Sequence, residues 1–169
     1  MTRLPHPIPY QGSKRKLAPM IDDYLPKGIK TFYEPFCGSA AMTIYAAHHG
    51  RAERFVLADS LEPMVALLRS IVEEPDRTAD KYSEVWKGQR EGELGYFNEV
   101  RERYNGDRDP VDLLYLICRC VKNAVRFNRD GRFTQSVDKR RLGMRPEKMQ
   151  VAVLGVSRIL RGRTEFRVG

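Results

Sequence analysis

The stretch Thr31-Phe-Tyr-Glu-Pro-Phe-Cys-Gly-Ser-Ala-Ala-Met-Thr-Ile-Tyr-Ala-Ala47 decides the fold. Its first part is extended and apolar, its middle turns through Glu34-Pro35-Phe36-Cys37-Gly38-Ser39, and its last part has the small and apolar residues of a buried helix. Strand, turn and helix in that order present backbone N–H groups at the C-terminal end of a strand, where open α/β sheets bind nucleotides. About twenty residues beyond Gly38, a second apolar run, Arg54-Phe-Val-Leu-Ala58, ends on Asp59, an acid placed to receive ribose hydroxyls. The two runs read as one adenosine-binding βαβ unit, although only one glycine of the full Gly-x-Gly-x-x-Gly fingerprint is present.

Outward from this unit, 169 residues suffice for one domain with a modest insertion. Thirty Lys and Arg against 22 Asp and Glu give a formal net charge of +8, which suits a polyanionic partner because each neutralised phosphate releases counterions. Cys37, Cys118 and Cys120 have neither disulfide-framework nor zinc-ribbon spacing and read as reduced thiols. His6, His48 and His49 lack a companion set of ligands, so no metal site is expected. The absence of a membrane-length apolar run or a signal-peptide core points to the cytoplasm.

Upstream, Pro7 and Pro9 impose extended chain, Gly12 turns it, and Ser13 is the expected cap of a helix burying Leu17, Met20, Ile21, Tyr24 and Leu25. Tyr10 and Lys14 could hold a ligand carboxylate there by stacking and charge. Downstream, Ser60 is the expected cap of a helix with Met64, Leu67, Leu68 and Ile71 on its apolar face. From Arg77 to about Arg145 the βαβ rhythm gives way to helices expected over 80–87, 94–104 and 111–121, the last opened by Asp109 and Pro110. A hairpin follows across Val125–Arg141, turning at Asp130-Gly131, with Phe127 and Phe133 interleaved among Arg126, Arg129, Arg132, Lys139, Arg140 and Arg141. Basic side chains of this kind hold phosphate while a ring near the tip can enter a base stack. A helix over 146–161 and a strand over 164–168 complete the chain, giving an α/β reading with three regions: 1–76, 77–145 and 146–169.

In this order, these segments resemble the Dam-like family of adenine-specific DNA methyltransferases. Pro9-Tyr10-Gln11-Gly12-Ser13-Lys14 matches the family's opening aromatic-x-Gly-Gly-Lys element, Glu34–Ser39 its cofactor loop, Leu57-Ala58-Asp59 its ribose-binding strand end, and Arg126-Phe127-Asn128-x-x-Gly131-x-Phe133 its DNA-reading hairpin. The resemblance implies an incomplete Rossmann-like sheet that binds S-adenosylmethionine, carrying an inserted subdomain of helices and a β-hairpin that recognises duplex DNA. It implies that Tyr10, Lys14, Glu34, Pro35, Phe36, Gly38 and Asp59 surround the cofactor. It further implies that Arg126, Phe127, Asn128, Arg129, Arg132, Lys139 and Arg140 meet DNA, Phe127 standing where a tyrosine enters the duplex and Asn128 where an asparagine meets the base left unpaired by flipping.

The chain departs from the family at Gln11, Ser13 and Phe127, and its continuation Thr134-Gln-Ser-Val-Asp-Lys-Arg140 replaces a family motif bearing on sequence specificity. The family's catalytic Asp-Pro-Pro-Tyr, which holds the target amine, does not occur in this sequence. The expectation is therefore a cofactor-binding and DNA-recognising subunit of a split methyltransferase, with the catalytic residues on a second chain that completes the sheet. A truncated single-chain enzyme and a non-catalytic nucleic-acid-binding relic are the alternatives. Direct methyl transfer, without a covalent enzyme intermediate, goes with the first reading, and its biological role stays open between restriction and modification, phage defence and housekeeping.

Overall fold

The computed structural model describes residues 4–89 and 94–169. Three parallel strands, β1 (Ile29–Glu34), β2 (Ala52–Asp59) and β3 (Thr164–Val168), form a sheet in the order β1-β2-β3. The register sets Phe32 beside Phe55 and Glu34 beside Leu57, then Leu57 beside Phe166. Both crossovers step across the sheet in the same direction, and the right-handed rule then puts their helices on one face.

On that face lie α2 (Ala41–His48), α3 (Glu62–Glu73) and α7 (Pro146–Leu160), α7 packing against both of the others, and Phe55 and Leu57 of β2 are fully buried. The opposite face carries Tyr33, Arg54, Glu165 and Arg167, all exposed, with a Glu165–Arg167 ion pair across it. Parallel sheets are ordinarily covered on both faces. Here those four residues are exposed, and the outer edges of both β1 and β3 have no strand partner among the described residues.

The helix expected after Gly12 is broken. Ser13 makes no capping bond; a 3₁₀ turn at Lys14–Lys16 precedes a five-residue α1 (Ala18–Asp22) with Pro19 in its first turn. Leu17, Met20 and Tyr24, expected to be buried, are exposed, Tyr24 at 86%. A helix this short places only Ala18 in the core, so its periodic residues find nothing to cover them. The cap of α3 is also corrected: the helix begins at Glu62, and Asp59 rather than Ser60 accepts a hydrogen bond from the N–H of Leu61, at 3.0 Å. The apolar face of α3 is as expected, with Met64, Leu67, Leu68 and Ile71 at 1% exposure or less.

Between α3 and α7 run α4 (Pro75–Gly88), α5 (Leu94–Asp107) and α6 (Pro110–Arg119). Asp109 caps α6 by accepting from the N–H of Val111 at 2.8 Å, Pro110 occupies its first turn, and every residue from Val111 to Arg119 is buried. α4 begins before residue 77 and lies along α7, so it spans the expected boundary at 76/77. A single apolar cluster runs from Phe55 and Leu57 of the sheet through Leu67 of α3 to Leu113, Leu114 and Ile117 of α6. The helical segment thus shares the core of the sheet domain.

Candidate functional site

At the C-terminal ends of β1 and β2 the chain forms a tight loop, and its geometry is set by Asp59. One carboxylate oxygen accepts from the N–H of Gly38 at 2.9 Å and the other from the N–H of Leu61, so the acid ties the β1–α2 turn to the start of α3. The N–H of Cys37 donates to the carbonyl of Ala58 at 2.9 Å, closing the same junction. Gly38 has φ +48°, and a Cβ there would lie 3.1 Å from the ring of Tyr10. A glycine is required on both counts: the left-handed conformation and the close approach of an aromatic face.

Ser39 donates to Ser13 at 3.1 Å, so the Tyr10–Lys14 segment and the β1–α2 turn are joined side chain to side chain. Burial, and then the charge of Asp59 and Cys37, pushes the Tyr10 hydroxyl above the usual tyrosine range. Burial beside Glu34 and Asp59 pushes the Cys37 thiol up to about 12, so it stays protonated and unreactive at neutral pH. Of the sequence-predicted cofactor residues, Tyr10, Gly38 and Asp59 are thus brought together. Pro35 and Phe36 sit on the exposed shoulder of the loop, with Phe36 84% exposed. Lys14 is exposed, and its ammonium donates to the carbonyl of Gly12 at 3.4 Å.

Glu34 is turned elsewhere. Its Oε2 accepts from the backbone N–H of Thr43 at 2.9 Å and from the Thr43 hydroxyl at 2.6 Å, serving the free donors at the start of α2. Burial holds the Glu34 carboxyl above its ordinary value against these bonds. A folded-state value above the unfolded one stabilises the protein fully below the unfolded value, and that contribution is lost as pH rises through the folded value. Glu34→Gln keeps an oxygen for Thr43 without the buried charge. It is therefore expected to flatten the dependence of stability on pH through the carboxylate range, as chemical denaturation across that range would show; an unaltered profile would mean that Glu34 is not the group involved.

The donor set fits the cofactor implied by the resemblance. A carboxylate has about four acceptor positions, and two of those on Asp59 are in use, leaving acceptor capacity at the strand end to which the Phe36-bearing turn is tied. Among the described residues no group of three His, Cys, Asp or Glu could hold a metal ion, and no helix is long and apolar enough to cross a membrane.

The second part of the site is the hairpin. It is narrower than two strands: antiparallel bridges join Phe127 to Phe133 and Cys120 to Val137, and Gly131, at φ +71°, closes the turn by donating to the carbonyl of Asn128 at 3.0 Å. Oδ1 of Asn128 accepts from the N–H groups of Asp130 and Arg132, at 3.0 and 2.9 Å, so this side chain organises the tip in the free protein. Phe133 is buried at 1% exposure, and Phe127 is half-buried with its ring 5.8 Å from that of Phe133 and 6.4 Å from that of Tyr104. A Phe127 ring that entered a duplex would have to leave these contacts.

The basic residues divide by partner. Arg126, Arg129 and Lys139 are exposed and have no ion pair among the described residues. Arg132 bonds Glu102 at 2.5 Å, and Arg140 and Arg141 flank Asp138, whose carboxyl they hold well below the usual range. Sequence reasoning missed Asp138 as the organiser of this basic loop, and it missed Glu102 and Asn105 of α5 and Arg108 just after it, which contact the hairpin directly. The sequence held no signal for Asn105, Arg108 and Glu102, because their hairpin partners lie 23 to 30 residues away.

The chain thus combines a parallel α/β sheet, a glycine turn locked to an acid at the next strand end, and a basic hairpin. The chain belongs to the D12 class N6 adenine-specific DNA methyltransferases, whose family model matches residues 10–153. It is 29% identical over 130 residues to the type II methyltransferase M.CviBI of Paramecium bursaria Chlorella virus NC1A, covering 75% of this chain and 47% of that protein. It is 22% identical over 142 residues to the type II methyltransferase M.MjaIII of Methanocaldococcus jannaschii, covering 75% and 49%. With the type II methyltransferase M.FokI of Planomicrobium okeanokoites it shares 25% identity over 164 residues, covering 95% of this chain and 25% of that protein. The chain spans about half the length of the first two relatives.

Proposed function

We propose that this chain is the cofactor-binding and DNA-recognising part of an adenine-specific DNA methyltransferase, and that a second polypeptide completes its sheet and supplies the residues that hold the target amine. The observation that carries the cofactor half of the reading is the Gly38–Asp59 lock beneath the Tyr10 ring, at the strand ends where such sheets bind nucleotides. S-adenosylmethionine brings a sulfonium-activated methyl group, so the protein need supply only alignment and a polar frame. In that frame Asp59 accepts ribose hydroxyls, Phe36 covers the adenine, Tyr10 and Gly38 shape the wall, and Lys14 attracts the methionine carboxylate.

The second polypeptide is supported by the sheet itself. Its parallel strands leave one face exposed at Tyr33, Arg54, Glu165 and Arg167, and β1 has an unpaired outer edge among the described residues, whereas sheets of this class are covered on both faces.

Phe36→Ala tests the cofactor pocket, because an 84% exposed ring contributes little to folding. Stability should be unchanged within about 0.5 kcal/mol. Affinity for S-adenosylmethionine, by calorimetry, should fall about tenfold, the scale of one lost aromatic contact; unchanged affinity would remove Phe36 from the site. For the hairpin, Arg126→Ala with Arg129→Ala should lower the slope of log K against log salt for duplex binding by about 2, at roughly 0.9 per phosphate contact. An unaltered slope would place the DNA elsewhere.

A further inference from the structure

Tyr104 and Asn105 in the last turn of α5, and Arg108 just beyond its end, hold the hairpin at three heights. The ring of Tyr104 receives Phe127 and Phe133, with centroids at 6.4 and 6.3 Å. The side-chain amide of Asn105 makes a two-point clamp on one backbone unit: its Nδ2 donates to the carbonyl of Phe133 at 3.2 Å and its Oδ1 accepts from the N–H of Phe133 at 2.7 Å. Arg108, in the left-handed region at φ +61°, donates to the carbonyl of Gly131 at the tip and lies over the Tyr104 ring at 5.7 Å.

Asn105 is 8% exposed, so both of its bonds are made away from water. An amide used in this way replaces a neighbouring β-strand: it satisfies a donor and an acceptor of Phe133 that the narrow hairpin leaves without a ladder partner. A buried polar group with both valences satisfied fixes one register, since any slip of the hairpin leaves an unpaired donor or acceptor.

We infer that the C-terminal end of α5 is the platform that aims the DNA-reading hairpin, and that Asn105 is a positioning residue for sequence discrimination, acting through the Phe133 backbone without touching DNA. The inference rests on the proposed reading of the hairpin as the DNA-binding element. Phosphate contacts from Arg126, Arg129 and Lys139 tolerate small displacements because they are exposed and flexible, whereas base-edge readout at the tip does not. Loosening the clamp therefore lowers discrimination between duplexes more than it lowers overall affinity.

The test is Asn105→Asp. A protonated carboxyl has the same donor and acceptor as the amide, while the carboxylate puts a second acceptor against the carbonyl of Phe133; burial favours the protonated form. The ionisable groups around the clamp are Tyr104, Arg101 and Glu102 on α5, Arg108 just beyond it, Arg132 on the hairpin, and Glu62, which faces Tyr104 from α3. Wild-type protein in the same buffers corrects for them.

Duplexes recovered from a randomised pool by the wild-type chain supply a preferred and a non-preferred probe. At neutral pH the variant should lose about tenfold in the ratio of the two affinities, with the salt slope unchanged, and should regain the ratio as pH falls. A merely structural residue would not restore discrimination on protonation. If the variant does not fold at neutral pH, exposed Arg108 carries the same readout: Arg108→Ala should lower the ratio and Arg108→Gln, which can still donate to Gly131, should retain it. Discrimination by the variants equal to that of the wild type at every pH overturns the inference alone. A wild-type chain that selects nothing from the pool overturns both the inference and the hairpin reading.

Discussion

Phe133→Ala is expected to lower the free energy of unfolding by about 3 kcal/mol, the lower end for a buried phenylalanine, because the hairpin beside it can partly collapse into the space. The ring is 1% exposed and meets Tyr104 edge-on at 6.3 Å and Phe127 at 5.8 Å, so its removal takes apart the aromatic cluster as well as leaving a cavity. Urea denaturation measures the loss. Duplex binding by the surviving folded protein should fall as well, while affinity for S-adenosylmethionine stays the same, since the ring packs on Tyr104 and Phe127 rather than at the Gly38 turn. A loss under about 1 kcal/mol, typical of exposed positions, would mean that Phe133 is not the hairpin's anchor.

The second large effect belongs to Asp59. Alanine there removes an acceptor from the N–H of Gly38 and another from the N–H of Leu61, both bonds to a charged group in a buried setting. Bonds of this kind contribute about 1.5–3 kcal/mol each, so Asp59→Ala should cost about 3 kcal/mol or more in stability and abolish measurable cofactor binding together. Asp59→Asn keeps one oxygen and should recover about half of the stability. Retention of full cofactor affinity by Asp59→Ala would contradict both the lock and the ribose contact.

These two residues also show what the sequence made legible. Asp59 stood out because a strand-length apolar run ended on an acid about twenty residues after a glycine turn, and local patterns of this kind survive folding. The same is true of Met64, Leu67, Leu68 and Ile71 at helical spacing, and of the Asp109-Pro110 start of α6. What the pattern could not show is how often a polar side chain serves backbone from another element. Asp59 binds the loop before it can bind a ligand, Glu34 serves Thr43, and Asn105 completes Phe133.

The helix expected from Ser13 onward failed for a related reason. Periodicity in Leu17, Met20 and Tyr24 describes a face, but a face is buried only where another element covers it, and among the described residues none does. Those side chains and the exposed Tyr33 and Phe36 lie on the same half of the sequence as the uncovered sheet edge.

The proposed division of labour is tested most directly by methyl incorporation from labelled S-adenosylmethionine into adenine of duplex DNA. The purified chain would be assayed alone and then with a separately expressed polypeptide carrying Asp-Pro-Pro-Tyr from the neighbouring coding sequence. The expected result is cofactor binding by the chain alone, no incorporation above background, and incorporation on mixing. Methylation of adenine by the chain unaided, as a monomer, would contradict it.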